Sequence, residues 1–351
     1  MQGLKKTDKI LLRVPNWLGD AVISLPALSA LKGLYPQARI TVLAKPGVSP
    51  IYENNPDVSS IIVYEGGGRH EGLGGMLRLA MELKKEKFDL AVLFQNAFEA
   101  AFISFLARIP ERAGYARDLR TALLTRPVSL TEGIKGRHQV FYYLNIIKEL
   151  GGSVSFTEAP LPVIYMNGDE IKKAERFMEG NGFGRGGFFF GVSPGASYGP
   201  AKRWGIEGFR EVIERITGDI GASAVIFGGK DDAGVAEKLS GRLTARHLNL
   251  AGKTTLREFI ALATLMRFFI CNDSGPMHVA AALGVPTVAI FGSTDPLLTG
   301  PLGKRVSVLR KKIECSPCFK RQCPFGHYRC MSVISAEDVY AASKAISKEA
   351  V

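Results

Sequence analysis

Two doubly wound α/β domains, each on a parallel sheet, are what this sequence predicts. Three observations carry the prediction. Short apolar runs alternate with helix-length runs along both halves of the chain, the pattern of parallel βαβ units. The chain has 351 residues, enough for two such domains with full cores. A segment holding Gly151-Gly152 and Pro160-Leu161-Pro162 breaks the alternation near the middle, as a hinge would.

The elements follow in order. In the first half Lys9–Val14 reads as a strand, and Ala21–Tyr35 as a helix with Val22, Leu25, Leu28, Leu31 and Leu34 three apart. Arg39–Ala44 and Ser60–Tyr64 read as strands, Leu73–Lys87 as a helix and Leu90–Phe94 as a strand. The hinge spans Gly151 to Asp169. The second half restarts with a helix near Glu170–Met178. Strands are expected at Phe188–Val192, Ala222–Phe227, 267–271 and Thr287–Phe291. Helices are expected at Ile206–Ile216, near Ala233–Leu243, and over 276–283. Ser335–Glu349 reads as a terminal helix. The expected domains are 1–165 and 166–334, with 335–351 as a closing helix.

Composition narrows the function. Hydrophobic residues make up 46% and charged residues 22%, both ordinary for a soluble domain. The net charge of +12 is not ordinary and predicts an anionic partner. The basic residues are dispersed, and no block resembles a nucleic-acid tail. An anionic small molecule or lipid head group therefore ranks above nucleic acid. The basic N-terminus, Met1 to Lys9, is not followed by a signal-peptide core, because Pro15, Asn16, Gly19 and Asp20 interrupt it. The longest uncharged stretch, Ser274 to Thr294, contains Gly275, Pro276, His278, Gly284 and Pro286, and reads as helix, turn and strand rather than a membrane span. A cytoplasmic protein with peripheral membrane contact is expected.

Five motifs carry chemistry, four of them directly after predicted strands, where open α/β sheets bind ligands. The most particular is Asn272-Asp273-Ser274-Gly275-Pro276-Met277-His278, running into an alanine-rich helix. Asp273 and Ser274 are cap candidates, and Pro276 suits a first turn. Such a helix start directs unpaired N–H groups and partial positive charge outward, which binds phosphate. The second motif is Ser193-Pro194-Gly195-Ala196, continuing through Gly199 and Pro200 to Lys202-Arg203-Trp204. Its glycines allow close backbone approach, and Lys202 and Arg203 offer charge to phosphates; a flexible surface loop is the plainer reading. The third, Pro15-Asn16-Trp17-Leu18-Gly19-Asp20, contains a carboxylate that reads equally as an N-cap and as a proton acceptor.

After the strand ending at Phe227, Gly228-Gly229-Lys230-Asp231-Asp232 offers an acid for a ribose hydroxyl or for a helix cap. Cys315 and Cys318, then Cys323 and Cys330 with His327 between them, resemble a metal-ligand pattern, though tighter than ordinary zinc ribbons. A thiol cluster is the other reading, and a disulfide is disfavoured by compartment. Cys271 belongs to a core strand. His70, His138 and His247 read as solvated or structural.

Together these motifs resemble glycosyltransferase family 9, the ADP-heptose lipopolysaccharide heptosyltransferases. The resemblance spans nearly the whole chain and includes Leu250-Ala251-Gly252-Lys253-Thr254. The segment Gly199-Pro200-Ala201-Lys202-Arg203-Trp204 is most similar to the branch that adds the second inner-core heptose. The resemblance implies a GT-B architecture, two Rossmann-like domains facing across a cleft. The N-terminal domain would take the acceptor and the C-terminal domain the ADP-sugar, and the terminal helix would return to the first domain. It implies Asp20 as catalytic base and Lys202 as phosphate ligand. Donor contacts would come from Ser193, Gly195, Asp231 and the loop Asp273, Ser274, Gly275, Pro276, Met277 and His278. Arg117, Arg120, Lys135 and Arg137 are candidates for acceptor phosphates or Kdo carboxylates, and equally for solvated surface charge.

The expected partners are ADP-heptose, the lipopolysaccharide inner core and the inner-membrane surface, with no nucleic acid. Transfer is expected to need no cofactor, because these loops hold no Asp-x-Asp pair. Structural zinc is the one candidate metal, at Cys315, Cys318, Cys323 and Cys330. Competing readings are transfer to another position, a nucleotide-sugar epimerase, and a non-catalytic nucleotide-sugar-binding protein. Asp20 separates the last from the first, since a pure binder has no use for a base.

Overall fold

The structure, a computed structural model, describes residues 7–184 and 186–348. Met1–Lys6 of the basic N-terminus and Glu349, the expected end of the last helix, lie outside the described residues. The chain divides into two compact units, residues 1–165 and 166–351.

The first unit is a six-stranded, wholly parallel sheet. Its strands are β1 (Lys9–Arg13), β2 (Arg39–Ala44), β3 (Ser60–Val63), β4 (Leu90–Leu93), β5 (Glu111–Tyr115) and β6 (Arg126–Val128), in the order β3-β2-β1-β4-β5-β6. The second unit repeats that topology. Its strands are β7 (Phe189–Ser193), β8 (Ser223–Ile226), β9 (His247–Asn249), β10 (Phe268–Asn272), β11 (Thr287–Ile290) and β12 (Val306–Leu309), in the order β12-β11-β10-β7-β8-β9. Both are doubly wound Rossmann sheets.

The central strands are continuous apolar runs, because helices cover both faces of a parallel sheet. Ile10, Leu11, Leu12, Ile40, Val42, Ala91 and Val92 are buried in the first unit. Phe190, Val192, Ile226, Phe268, Ile270, Val288 and Ile290 form the core of the second. The expected strands and helices are present, with one break. The run 21–35 is two helices, Leu18–Ile23 and Leu25–Leu34, because Pro26 in the first turn of the second lacks the N–H that would continue the first.

Several further elements have weaker sequence signals. Among them are β5, β6, β9 and β12, and the helices Phe98–Leu106, Gln139–Glu149 and Leu256–Ala263. Three of these strands lie at a sheet edge, where Pro127 costs no interior hydrogen bond. The terminal helix Ala336–Lys348 packs on the helix Ile206–Ile220 and on β10, β11 and β12. Its Val339, Tyr340 and Ile346 join the second core. Its apolar face therefore belongs to the second unit, a placement that differs from the expected return to the first.

Candidate functional site

A doubly wound sheet has a switch point, where the connections from two adjacent strands leave in opposite directions and the strand ends open a crevice. Here these points fall between β1 and β4 and between β7 and β10. The motif at Asp20 follows β1, and the motifs at Ser193 and Asp273 follow β7 and β10.

In the second unit, Asn272 closes β10 and is fully buried. Its Oδ1 accepts the Trp204 N–H at 3.0 Å, and its Nδ2 donates to the Pro194 carbonyl at 2.8 Å. One amide thus ties both ends of the 194–204 loop to the start of the Asp273 turn. That clamp brings the Lys202 ammonium to 2.6 Å from Asp273 Oδ2. Thr294 Oγ1 donates to the same carboxylate. Both members of the ion pair are largely buried, so each stabilises the other where neither would be tolerated alone. The Lys202 ammonium also lies 4.7 Å from the centre of the Tyr198 ring, a cation–π contact.

The helix Gly275–Ala282 begins beside this pair. Ser274 occupies its N-cap position, but the side chain makes no cap hydrogen bond to the helix. Its hydroxyl donates to the Asn272 carbonyl at 3.2 Å instead. No side chain therefore closes the helix start. His278 is buried on this helix. Met277 is wholly buried, and its N–H donates to the Ser274 carbonyl at 3.1 Å. Met277 therefore supports the turn from within.

A Cβ on Gly195 would fall 2.1 Å from the Asp232 carboxylate, so this glycine makes room for Asp232. Asp231, the expected ribose acid, is exposed, whereas Asp232 is buried. Asp232 Oδ2 accepts the Gly229 N–H at 3.3 Å, and Oδ1 has no hydrogen-bond partner. Arg203 approaches it only to 3.9 Å, beyond hydrogen-bond reach. Burial raises the Asp232 carboxyl above its ordinary range, against the N–H of Gly229 and the Arg203 guanidinium. Ser193 Oγ and Ser293 Oγ are also buried without a hydrogen-bond partner. Unsatisfied buried polar atoms are costly and collect at functional sites. The strands β7 and β8 that end at Ser193 and before Asp232 are paired neighbours.

Trp204 is buried, and its indole N–H donates to the Ile334 carbonyl at 2.9 Å. It anchors the loop rather than lining a surface. In the first unit Trp17 is the opposite case, 55% exposed at the N-cap of Leu18–Ile23. Trp17 holds the cap position, so Asp20 lies inside the first turn and is not the cap. Arg13 is buried, donates to the Val14 carbonyl at 2.7 Å and holds Asn16 Oδ1 at 2.8 Å. Burial lowers the Arg13 guanidinium to about 10, with Glu99 opposing the shift. Asp20 is half-buried. Beyond burial, its charge helps keep the hydroxyls of Tyr143 and Tyr52 protonated.

Of the four basic candidates for acceptor binding, Arg120 is fully buried. Its guanidinium donates to the carbonyls of Tyr115 and Gln95 and to Asn96 Oδ1. It braces the ends of β4 and β5 instead of facing a ligand. Arg117, Lys135 and Arg137 are exposed.

Cys315, Cys318, Cys323 and Cys330 line one small cavity with His327, Ala201 and Ser293. All four thiols are free. Cys323 Sγ lies 3.9 Å from His327 Nδ1. Among the described residues no group of three or more histidine, cysteine or acidic side chains is arranged to hold a metal ion. The zinc expectation thus gains no support. The segment has a visible structural role: Arg321 O accepts the Ala201 N–H at 3.0 Å, Phe319 O accepts the Tyr198 hydroxyl at 2.7 Å, and Ser316 Oγ donates to Gly292 O at 2.6 Å. It buttresses the loop that carries Lys202 and the loop that leads to Thr294.

The family model for glycosyltransferase family 9 (heptosyltransferase) matches residues 76–329. Lipooligosaccharide heptosyltransferase 2 of Haemophilus ducreyi is 32% identical over 312 residues, covering 86% of this chain and 88% of that protein. Lipopolysaccharide heptosyltransferase 2 of Salmonella typhimurium is 30% identical over 308 residues, with the same coverage. Among solved structures, ADP-heptose lipopolysaccharide heptosyltransferase II of E. coli superposes with a TM-score of 0.82 at 26% identity, covering 97% of this chain and 99% of that one. A family 9 glycosyl transferase from Veillonella parvula gives 0.88 at 26% identity, covering 99% of each.

A carboxyl with a raised pKa in the folded state lowers stability above that pKa, and the penalty fades as pH falls through it. Asp232→Asn is expected to melt higher than the wild type at pH 7, with the difference shrinking toward pH 4. Thermal melts across that range measure it; a difference independent of pH contradicts the buried carboxylate.

Proposed function

The chain belongs to glycosyltransferase family 9, and from that premise we propose that it is the inverting transferase that adds the second heptose of the lipopolysaccharide inner core. It moves L-glycero-D-manno-heptose from ADP-heptose to heptosyl-Kdo-lipid A, the activity of a heptosyltransferase II. Relatives carrying that name at about 30% identity over most of the chain support the reading. The single structural observation that carries it is the Lys202–Asp273 pair beside the uncapped start of the helix Gly275–Ala282.

The chemistry divides between an attacking and a leaving group. An acceptor hydroxyl oxygen bonds to the anomeric carbon as the bond from that carbon to the diphosphate oxygen breaks. The configuration inverts, and the hydroxyl proton passes to Asp20 as general base. The departing ADP gains negative charge. Lys202 and the N–H groups after Ser274 stabilise it more strongly in the transition state than in the ground state. Asp273 acts through Lys202, holding the ammonium in place before donor arrives. Asp232 is the better placed acid for a donor hydroxyl than the exposed Asp231, because its Oδ1 is unpaired.

The acceptor is a membrane glycolipid, so the protein works as a peripheral protein on the inner membrane. No helix among the described residues is long and apolar enough to cross a membrane. The net charge of +12 suits an anionic leaflet.

Two variants test the assignment. Asp20→Ala is expected to retain ADP-heptose affinity and to lose roughly 10²–10⁴ in transfer rate; near-normal turnover contradicts the base assignment. Lys202→Ala is expected to weaken ADP binding by about 10–100-fold, the worth of a charge-assisted contact. Calorimetric affinity equal to that of the wild type refutes the phosphate role.

A further inference from the structure

The helix Gly72–Glu86 carries two apolar faces where one is needed. Its inner face, Gly75, Leu79, Ala80 and Leu83, is buried, and Leu79, Ala80 and Leu83 belong to a core cluster of the first unit. Its outer face presents Leu73, Leu77 and Met81, spaced four apart and 72%, 50% and 59% exposed. At 100° per residue those three side chains form one stripe on the far side of the helix from the core. A surface helix normally turns polar residues to water, and a contiguous exposed apolar stripe marks a contact surface.

The charges around the stripe identify what covers it. Arg78 stands beside it, and Lys84, Lys85 and Lys87 are exposed at its C-terminal end. Glu82 is paired with Arg69 and approaches His70 at 3.4 Å. Over 69–87 there are five Lys and Arg residues against three Glu. Apolar residues at membrane-anchoring spacing, bordered by lysine and arginine, are the composition of a helix that lies in a bilayer interface and draws on anionic head groups. The helix Phe98–Leu106 packs beside it and leaves Phe98 and Phe105 about half exposed, which adds apolar area to the same unit.

We propose that the outer face of Gly72–Glu86 is the surface by which this protein docks on an anionic lipid bilayer. Leu73, Leu77 and Met81 enter the acyl boundary, and Arg78, Lys84 and Lys85 meet lipid phosphates. This deepens the functional reading, from which it takes only the expectation that the acceptor lies in a membrane.

The test uses the full chain and sucrose-loaded vesicles that contain no lipopolysaccharide, so its result does not depend on the transfer reaction. Vesicles are made of phosphatidylethanolamine with phosphatidylglycerol, or of phosphatidylcholine alone. The wild type is expected to sediment with the anionic vesicles and weakly with the neutral ones, and added salt is expected to release it. Leu77→Glu/Met81→Glu, at exposed positions, is expected to cut that binding by about ten-fold or more. Lys84→Glu/Lys85→Glu is expected to remove the preference for anionic lipid. Both variants are expected to keep the wild-type melting temperature and the wild-type rate on a water-soluble acceptor oligosaccharide. Wild-type protein that ignores anionic vesicles overturns the proposal, as does undiminished binding by the Leu77/Met81 variant. So does a stable dimer that the same variant dissociates, since the stripe then faces a second copy. Normal vesicle binding without heptose transfer would sink the enzymatic reading and leave this surface standing.

Discussion

The buried amide of Asn272 is the constraint on which the second unit's site depends. It closes the central strand β10, and it holds both the Pro194 carbonyl and the Trp204 N–H. That clamp ties both ends of the 194–204 loop to the end of β10. With it, Lys202 meets Asp273 at 2.6 Å beside an uncapped helix start. A lysine and an aspartate buried together cost desolvation, and hydrophobic replacements of similar size are often no less stable. In the proposed transfer the pair is preorganised: the ammonium is fixed before the diphosphate arrives. Thr294 and the buttress from 316–321 hold the remaining sides of the arrangement.

One topology serves twice. Both units wind their sheets in the same order, so both open a crevice beside the first strand of the unit. In one, the crevice receives Asn16, Trp17 and Asp20; in the other, Ser193, Lys202 and Asp273. The local supports differ in kind. The first relies on a buried guanidinium, Arg13, bonded to Asn16. The second relies on a neutral amide and an internally neutralised ion pair. In the proposed reaction a leaving diphosphate needs cationic and N–H donors and a hydroxyl nucleophile needs a carboxylate, and each crevice carries the groups proposed for one of them.

The sequence made the central strands legible because their apolar runs have no competing reading at that length. It made the motifs legible because each follows such a strand. Edge elements were harder: β6 is Arg126-Pro127-Val128, a run too short and too polar to show a period. Side-chain direction was hardest. Asp231 and Asp232 are adjacent acids, and only the fold reveals that the second turns inward beneath Gly195. Trp204 and Arg120 have the composition of ligand contacts, yet Ile334 takes the indole N–H and backbone carbonyls take the guanidinium. Met277 sits in the most particular motif of the chain and is nonetheless core. Long-range partners decide each of these cases, and spacing along the chain does not encode them.

The central claim is that this transferase extends an inner core that already bears one heptose. The direct measurement is mass analysis of products after incubating the full chain with ADP-heptose and lipopolysaccharide acceptors truncated before or after the first heptose. The account predicts a single added heptose, with inverted anomeric configuration, on the acceptor that already carries one. Preference for the heptose-free acceptor would contradict it, and so would conversion of ADP-heptose in the absence of any acceptor.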